Sequence, residues 1–182
     1  RVSALLNLKC TILSGILWYK RYYKPMRNTK TPKKRPKITV QTIASNTFIP
    51  SRYFLQQWVN KALSHHTTHS QVNIRLVNKK ESTQLNDTYR HKKGPTNILS
   101  FSFEPPPGVR SPFLGDLVIC AALVNQEAKQ QQKTHLAHWA HLVIHGCLHL
   151  LGYDHHNDKE AKRMESREIQ LLEDLGYENP YI

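Results

Sequence analysis

At 182 residues, with 39% hydrophobic and 9% aromatic side chains, the chain has enough apolar material for one domain around a single buried core, and its composition fits neither a membrane bundle nor a disordered polymer. The formal charge of +13 resembles a nucleic-acid signature, but residues 1–37 carry eleven Lys/Arg and no acid, leaving fifteen basic against thirteen acidic residues over 38–182. Three cysteines, Cys10, Cys120 and Cys147, lie far apart with no CxxC spacing, which argues against a disulfide framework or a thiolate zinc knuckle and favours a reducing, cytoplasmic setting.

Residues 4–19 form the longest apolar stretch, but Asn7 and Lys9 interrupt it and it falls short of the ~20 residues a spanning helix needs, so no membrane segment is expected. The basic, Tyr-rich run behind it lacks a small-residue cleavage pattern and does not read as a signal peptide. Pro32, Pro36 and the lysines between them mark a flexible linker, which makes 1–37 a basic N-terminal extension and 38–182 the folded domain. The extension serves equally well as a phosphate-contacting arm or as a solvated appendage.

Residues 38–43 and 72–77 read as strands, separated by a helix that starts after Pro50 and carries Tyr53, Leu55, Trp58, Val59 and Leu63. A short helix is expected at 81–89, then strands at 97–103 and 116–119, with the Pro-rich loop at 105–108 forbidding a two-residue hairpin. The remainder is helical over 121–132, 134–151 and 159–175. Strands early and helices late give an α+β domain with no internal repeat.

On the helix at 134–151, His138, His141, His145 and His149 fall within an arc of about 80° at the helical step of roughly 100° per residue. Leu136, Trp139, Ala140, Val143 and Cys147 lie opposite, so the helix is expected to pack through one face and present imidazoles on the other. His145 and His149 are one turn apart, the spacing that lets two imidazoles converge on one cation. Gly152 can then reverse the chain and bring His155 back three residues later. Three neutral nitrogen donors leave a fourth tetrahedral position for water, the arrangement of a catalytic zinc site, so His145, His149 and His155 are the expected ligands of one zinc ion. Asp154 reads either as an acceptor orienting an imidazole or as a turn residue capping the last helix, and His156 as solvent-exposed. His138 and His141 continue the same face, with hydrogen bonding, substrate contact or plain amphipathic placement all open.

The spacing H-x-x-x-H-x-x-G-x-x-H is similar to that of the metzincin metallopeptidases, in which a Glu follows the first His and activates water. Here that residue is Gly146, so the peptidase reading loses its base. The run His145-Gly-Cys-Leu-His149-Leu-Leu-Gly152-Tyr-Asp154-His155 instead resembles the mark of the YbeY endoribonuclease family, H-G-x-L-H-L-x-G-Y-D-H. The likeness extends over about 38–182, through Ile74-Arg75-Leu76-Val77, Leu85-Asn86-x-x-Tyr89-Arg90, Pro95-Thr96-Asn97-Ile98-Leu99-Ser100-Phe101, Gly115-Asp116-Leu117-Val118-Ile119 and Leu175-Gly176-Tyr177-Glu178.

That resemblance implies a zincin-like α+β fold, with a mixed sheet packed against helices including a metal-binding helix, and zinc on the three histidines. It implies cleavage of single-stranded RNA in the maturation of small-subunit ribosomal RNA and in ribosome quality control, with ribosomal RNA or the small subunit as partner. It also implies a functional arginine, Arg90 by motif, while Lys93 stands where the family often has an acid. On this reading Arg90 holds phosphate oxygens bidentately, and Lys92 and Lys93 track the RNA backbone without selecting sequence. A competing expectation is a non-catalytic RNA-binding assembly factor in which the zinc is structural.

Overall fold

In strand β2 (Gln71–Val77), Val72, Ile74 and Leu76 are buried and alternate with half-buried Asn73 and Arg75, so one face is apolar and the other polar. The computed structural model in which this is seen describes residues 35–65 and 70–182. Residues 1–34, most of the expected basic extension together with Cys10, lie outside the described residues. Strand β1 (Lys37–Thr42) starts one residue inside the stretch expected to be linker, because Lys37 already pairs with Gln71.

The sheet holds four strands in the order β1-β2-β4-β3, completed by β3 (Ile98–Ser102) and β4 (Phe113–Cys120). β1, β2 and β4 run parallel, while β3 is an edge strand antiparallel to β4. Among the described residues five helices surround it: α1 (Arg52–Ala62), α2 (Lys79–Arg90), α3 (Ala121–Gln130), α4 (His135–Leu150) and α5 (Asp158–Glu173). Side-chain caps set three of the starts, with Asn78, Thr134 and Asn157 each accepting the backbone N–H three residues on, from Glu81, Ala137 and Glu160. The expected α+β arrangement of a mixed sheet against helices is what the chain adopts.

The main core lies where α4 packs on β3 and β4 and against α1, α3 and α5, with Trp58, Ile74, Leu117, Trp139, Ile144 and Leu148 fully buried there. The other sheet face mixes polar and apolar side chains. Asn73 donates to Asp116 (2.9 Å), Arg75 pairs with Glu81, and only a small cluster of Val77, Leu99, Val118 and Cys120 lies beneath Leu85 of α2. Among the described residues no helix is long and apolar enough to cross a membrane.

β4 begins at Phe113, three residues before the expected strand. Gly115 sits in the ladder ahead of that stretch, next to a register irregularity opposite Gln71 and Val72. Its φ is +145°, and a Cβ there would stand 2.1 Å from the Phe101 carbonyl oxygen and 2.9 Å from Leu150 Cδ2. The residue lets β3 and the end of α4 close down on β4. Gly115→Ala should therefore destabilise the fold by about 3 kcal/mol or more. A lowered denaturant midpoint at unchanged slope would register it, and an unaltered midpoint would refute the close-approach account.

Candidate metal centre

Helix α4 does not divide into a packed face and a face of free imidazoles. Contacts with the sheet and three helices bury it nearly all round, and His138, on the arc expected to be presented, is 3% exposed. Its Nε2 lies 2.9 Å from Glu127 Oε2, and the same carboxylate oxygen accepts from Asn97 Nδ2 (3.1 Å). His138 thus ties α4 to α3 and to the start of β3. His141, His145 and His149 remain half-buried along the one edge that α4 keeps open.

Gly146 fixes where that edge points. A Cβ at this position would meet Ile98 Cδ1 at 2.7 Å and Leu117 Cδ2 at 2.8 Å, so the helix lies on the sheet through its bare backbone. A glutamate at 146 would start out into packed hydrocarbon. The loss of the metallopeptidase base is therefore a requirement of this packing as well as a fact of sequence.

At the other end of α4 the chain turns at Gly152 (φ +82°), with Tyr153 N–H donating to the Leu148 carbonyl and Gly152 N–H to that of His149. Asp154 then takes the His155 backbone N–H on Oδ1 (2.8 Å) and the His156 ring on Oδ2 (2.6 Å). The amide bond holds Asp154 below the usual carboxylate range. Asp154 thus orients no imidazole of the candidate ligand set, and the cap of the last helix is Asn157. What it shapes is the backbone that carries His155. His156 is exposed, as expected.

The turn brings together His145, His149 and His155, whose ligand nitrogens all lie within 4.8 Å of one another. His145 Nε2 and His149 Nε2 are 3.1 Å apart. Two donors bound tetrahedrally at about 2.05 Å from zinc would be roughly 3.3 Å apart, so the pair is set for one small cation. Burial first, then the nearby His145 and His155, push the His149 pKa down, which keeps that imidazole neutral and its lone pair free at neutral pH. Cys147, on the same helix, faces the core, where burial raises its thiol to about 12 and removes it as a ligand.

Sequence reasoning missed the carboxylate of this centre, Glu168 on α5. It is fully buried; Oε1 lies 2.8 Å from His145 Nδ1, while Oε2 takes His141 Nε2 at 3.0 Å and the Tyr181 hydroxyl. Burial acts to raise its pKa, but the bonds from His141 and His145 and the others in the cluster outweigh that and bring it down to about 2. A signal was available: Glu168 falls on the apolar stripe of Met164, Leu171 and Leu172, where helical period calls for a hydrophobe.

Arg90, the last residue of α2, lines one cavity of about 440 Å³ with Ser100, Ser102, His149, Asp154 and His155. Two buried polar side chains fix the loop that follows it. Ser82 bonds Thr96 in both directions, through its hydroxyl to the carbonyl (2.7 Å) and from the amide (3.0 Å). Asn86 donates to the Lys92 and Gly94 carbonyls (3.2 and 2.9 Å). Together they clasp the loop after α2 against its own helix. Lys92 and Lys93 lie exposed on that loop, outside the lining of the cavity.

The family model for endoribonuclease YbeY matches residues 41–176. The solution structure of TM1509 from Thermotoga maritima is similar to this chain with a TM-score of 0.52 and 25% sequence identity, covering 75% of this chain and 89% of that one.

Glu168 also makes a pH prediction. A carboxylate depressed from 4.5 to about 2 contributes stability that is complete above the unfolded value and is lost as pH falls through the folded one. The contribution is on the order of 3 kcal/mol at neutral pH, with roughly half gone by pH 3. Metal-free Glu168→Gln should therefore trail the wild type in urea stability at pH 7 and narrow the gap at pH 3. A gap that does not change with pH would contradict an ionised Glu168.

Proposed function

The chain belongs to the YbeY endoribonuclease family, and on that premise we propose that it cuts single-stranded RNA with zinc as its metal, acting in the cytoplasm on small-subunit ribosomal RNA during maturation and ribosome quality control. Family membership makes it a metal-dependent hydrolase. The observation that carries the finer reading is the shared cavity: Arg90 and two members of the three-histidine cluster, His149 and His155, line one space of a size for a nucleotide phosphate.

In this reading His145, His149 and His155 hold the ion through neutral nitrogens. When bound, zinc supplies undiminished divalent charge, polarising a phosphoryl oxygen and activating water near neutral pH. Arg90 grips the non-bridging oxygens with two parallel N–H donors, and the grip tightens as charge grows toward the transition state. Ser100 and Ser102, which line the same cavity, add neutral hydroxyl donors, and Lys92 and Lys93 follow the backbone beyond it. Asp154 is the only carboxylate lining the cavity among the described residues, and its oxygens are engaged by His155 and His156. Proton removal from the attacking hydroxyl therefore does not fall to an acid placed as in the metallopeptidases.

A labelled single-stranded RNA, incubated with wild type, Arg90→Ala and His149→Ala at measured zinc content, tests this. Arg90→Ala should keep its zinc and cleave on the order of 10²–10³-fold more slowly. His149→Ala should lose zinc and cleavage together. Equal residual cleavage by all three would assign the activity to a contaminant, and RNA binding without cleavage by the zinc-loaded wild type would leave an assembly factor with structural zinc.

A further inference from the structure

We propose that Glu168 is a positioning residue of the metal centre, with His141 and Tyr181 as its clamps: its carboxylate fixes the tautomer and aim of His145, so that Nε2 is presented to the ion. The inference rests on the reading of His145, His149 and His155 as the metal ligands.

A neutral imidazole has one N–H and one lone pair. The partner of the N–H decides where the lone pair goes. His145 Nδ1 is 2.8 Å from Glu168 Oε1, an oxygen that only accepts, so the proton sits on Nδ1 and the lone pair on Nε2, the atom facing His149. A ring flip would place a carbon against the carboxylate. Glu168 thereby excludes both the wrong tautomer and the wrong rotamer of the ligand that His149 must meet.

Stability alone does not account for an acid at this position. It is flanked on its helix by Met164, Leu171 and Leu172, all buried, and a buried carboxylate costs several kcal/mol unless its donors are complete. A well-packed apolar side chain would hold the helix at no such cost. The donors are complete here because two further groups are brought in for Oε2. His141 Nε2 comes from one turn earlier on α4 (3.0 Å), and the Tyr181 hydroxyl from the segment after α5. That segment is itself held down, with Lys133 Nζ donating to the Pro180 carbonyl and Asn179 accepting the Tyr181 amide (2.9 Å). The Tyr181 ring then stands edge-on to His141 at 5.5 Å. These contacts leave Oε2 no freedom to turn away and take Oε1 with it.

His141, His145 and Glu168 also bring three donor atoms within 4.8 Å and so form a group able to hold a cation of its own. Occupation of that group would need the protons of His145 Nδ1 and His141 Nε2 removed from contacts that already satisfy them. The positioning role keeps every proton in place, and metal stoichiometry separates the two.

The test measures zinc affinity by chelator competition and the visible spectrum of the cobalt(II)-loaded protein for wild type, Glu168→Gln and Tyr181→Phe, with melting curves for each. The wild type should bind one equivalent. Glu168→Gln presents an N–H or a single acceptor where two anionic oxygens stood, and should bind zinc about 10–100-fold more weakly with an altered cobalt spectrum. Tyr181→Phe removes one clamp hydroxyl and should weaken binding several-fold without loss of the cooperative melt, which carries the test even if Glu168→Gln does not fold. Wild-type affinity and spectrum in both variants would overturn the inference while leaving the three-histidine site standing. Two equivalents in the wild type, one of them lost in Glu168→Gln, would overturn it in favour of a second cation. A wild type that takes up no zinc or cobalt would overturn the metal-centre reading itself.

Discussion

Helix α4 touches the sheet through the backbone of Gly146, and that contact governs what the rest of the molecule can do. A side chain there would strike Ile98 and Leu117, so the helix is held at glycine distance from β3 and β4. With α1, α3 and α5 packed around it, its one open edge is the line through His141, His145 and His149. The rotation of a buried helix is over-determined in this way, and the rings on it inherit the precision of the core.

The same contact separates this site from the metallopeptidase arrangement that its histidine spacing resembles. There the carboxylate follows the first histidine and faces the metal. Here that position is closed by the sheet, and a carboxylate arrives from another helix and from behind, meeting His145 at Nδ1 instead of facing the cavity. A carboxylate in that place cannot take a proton from a substrate in the cavity, but it can orient a ligand. What the cavity presents instead is Arg90, two serine hydroxyls and imidazole, with Asp154, its one carboxylate among the described residues, engaged by the His155 amide and the His156 ring.

The parts of this centre that local geometry builds were legible in the sequence. His145, His149 and His155 are brought together within eleven residues by one helical turn and one glycine turn, and both have residue-type signatures. The α+β class and most element positions followed from apolar periodicity, since the alternation of β2 and the stripes of the later helices reflect one buried side. What could not be read is what long-range packing decides. Glu168 reaches His145 from twenty-three residues away, and an acid on an apolar stripe signals only that some partner exists. His138 looked equivalent to its neighbours on the arc, yet Glu127 of α3 claims it. For Asp154, adjacent to a candidate ligand in sequence, an orienting and a capping role were both open, and in space its oxygens go to the His155 amide and the His156 ring. The start of β4 at Phe113 was likewise out of reach, because the Phe101 carbonyl that requires Gly115 comes from another strand.

Arg90 stands between these cases. Nothing in its local spacing points to a metal site, and resemblance alone singled it out. It lines the histidine cavity from the last position of α2, and Ser82 and Asn86, both buried, clasp the following loop to that helix. Two independent anchors therefore define one cavity, a helix fixed by its glycine contact and a loop fixed by two polar side chains. Only the first responds to changes behind His145. If Glu168, His141 and Tyr181 set the charge and direction that His145 offers, they act on the metal without moving Arg90, so metal affinity and phosphate grip are separable properties of this fold. The number of donors on Glu168 then becomes meaningful: each proton that His141 and Tyr181 supply draws electron density away from the oxygen pair, and so tempers how basic a ligand His145 becomes.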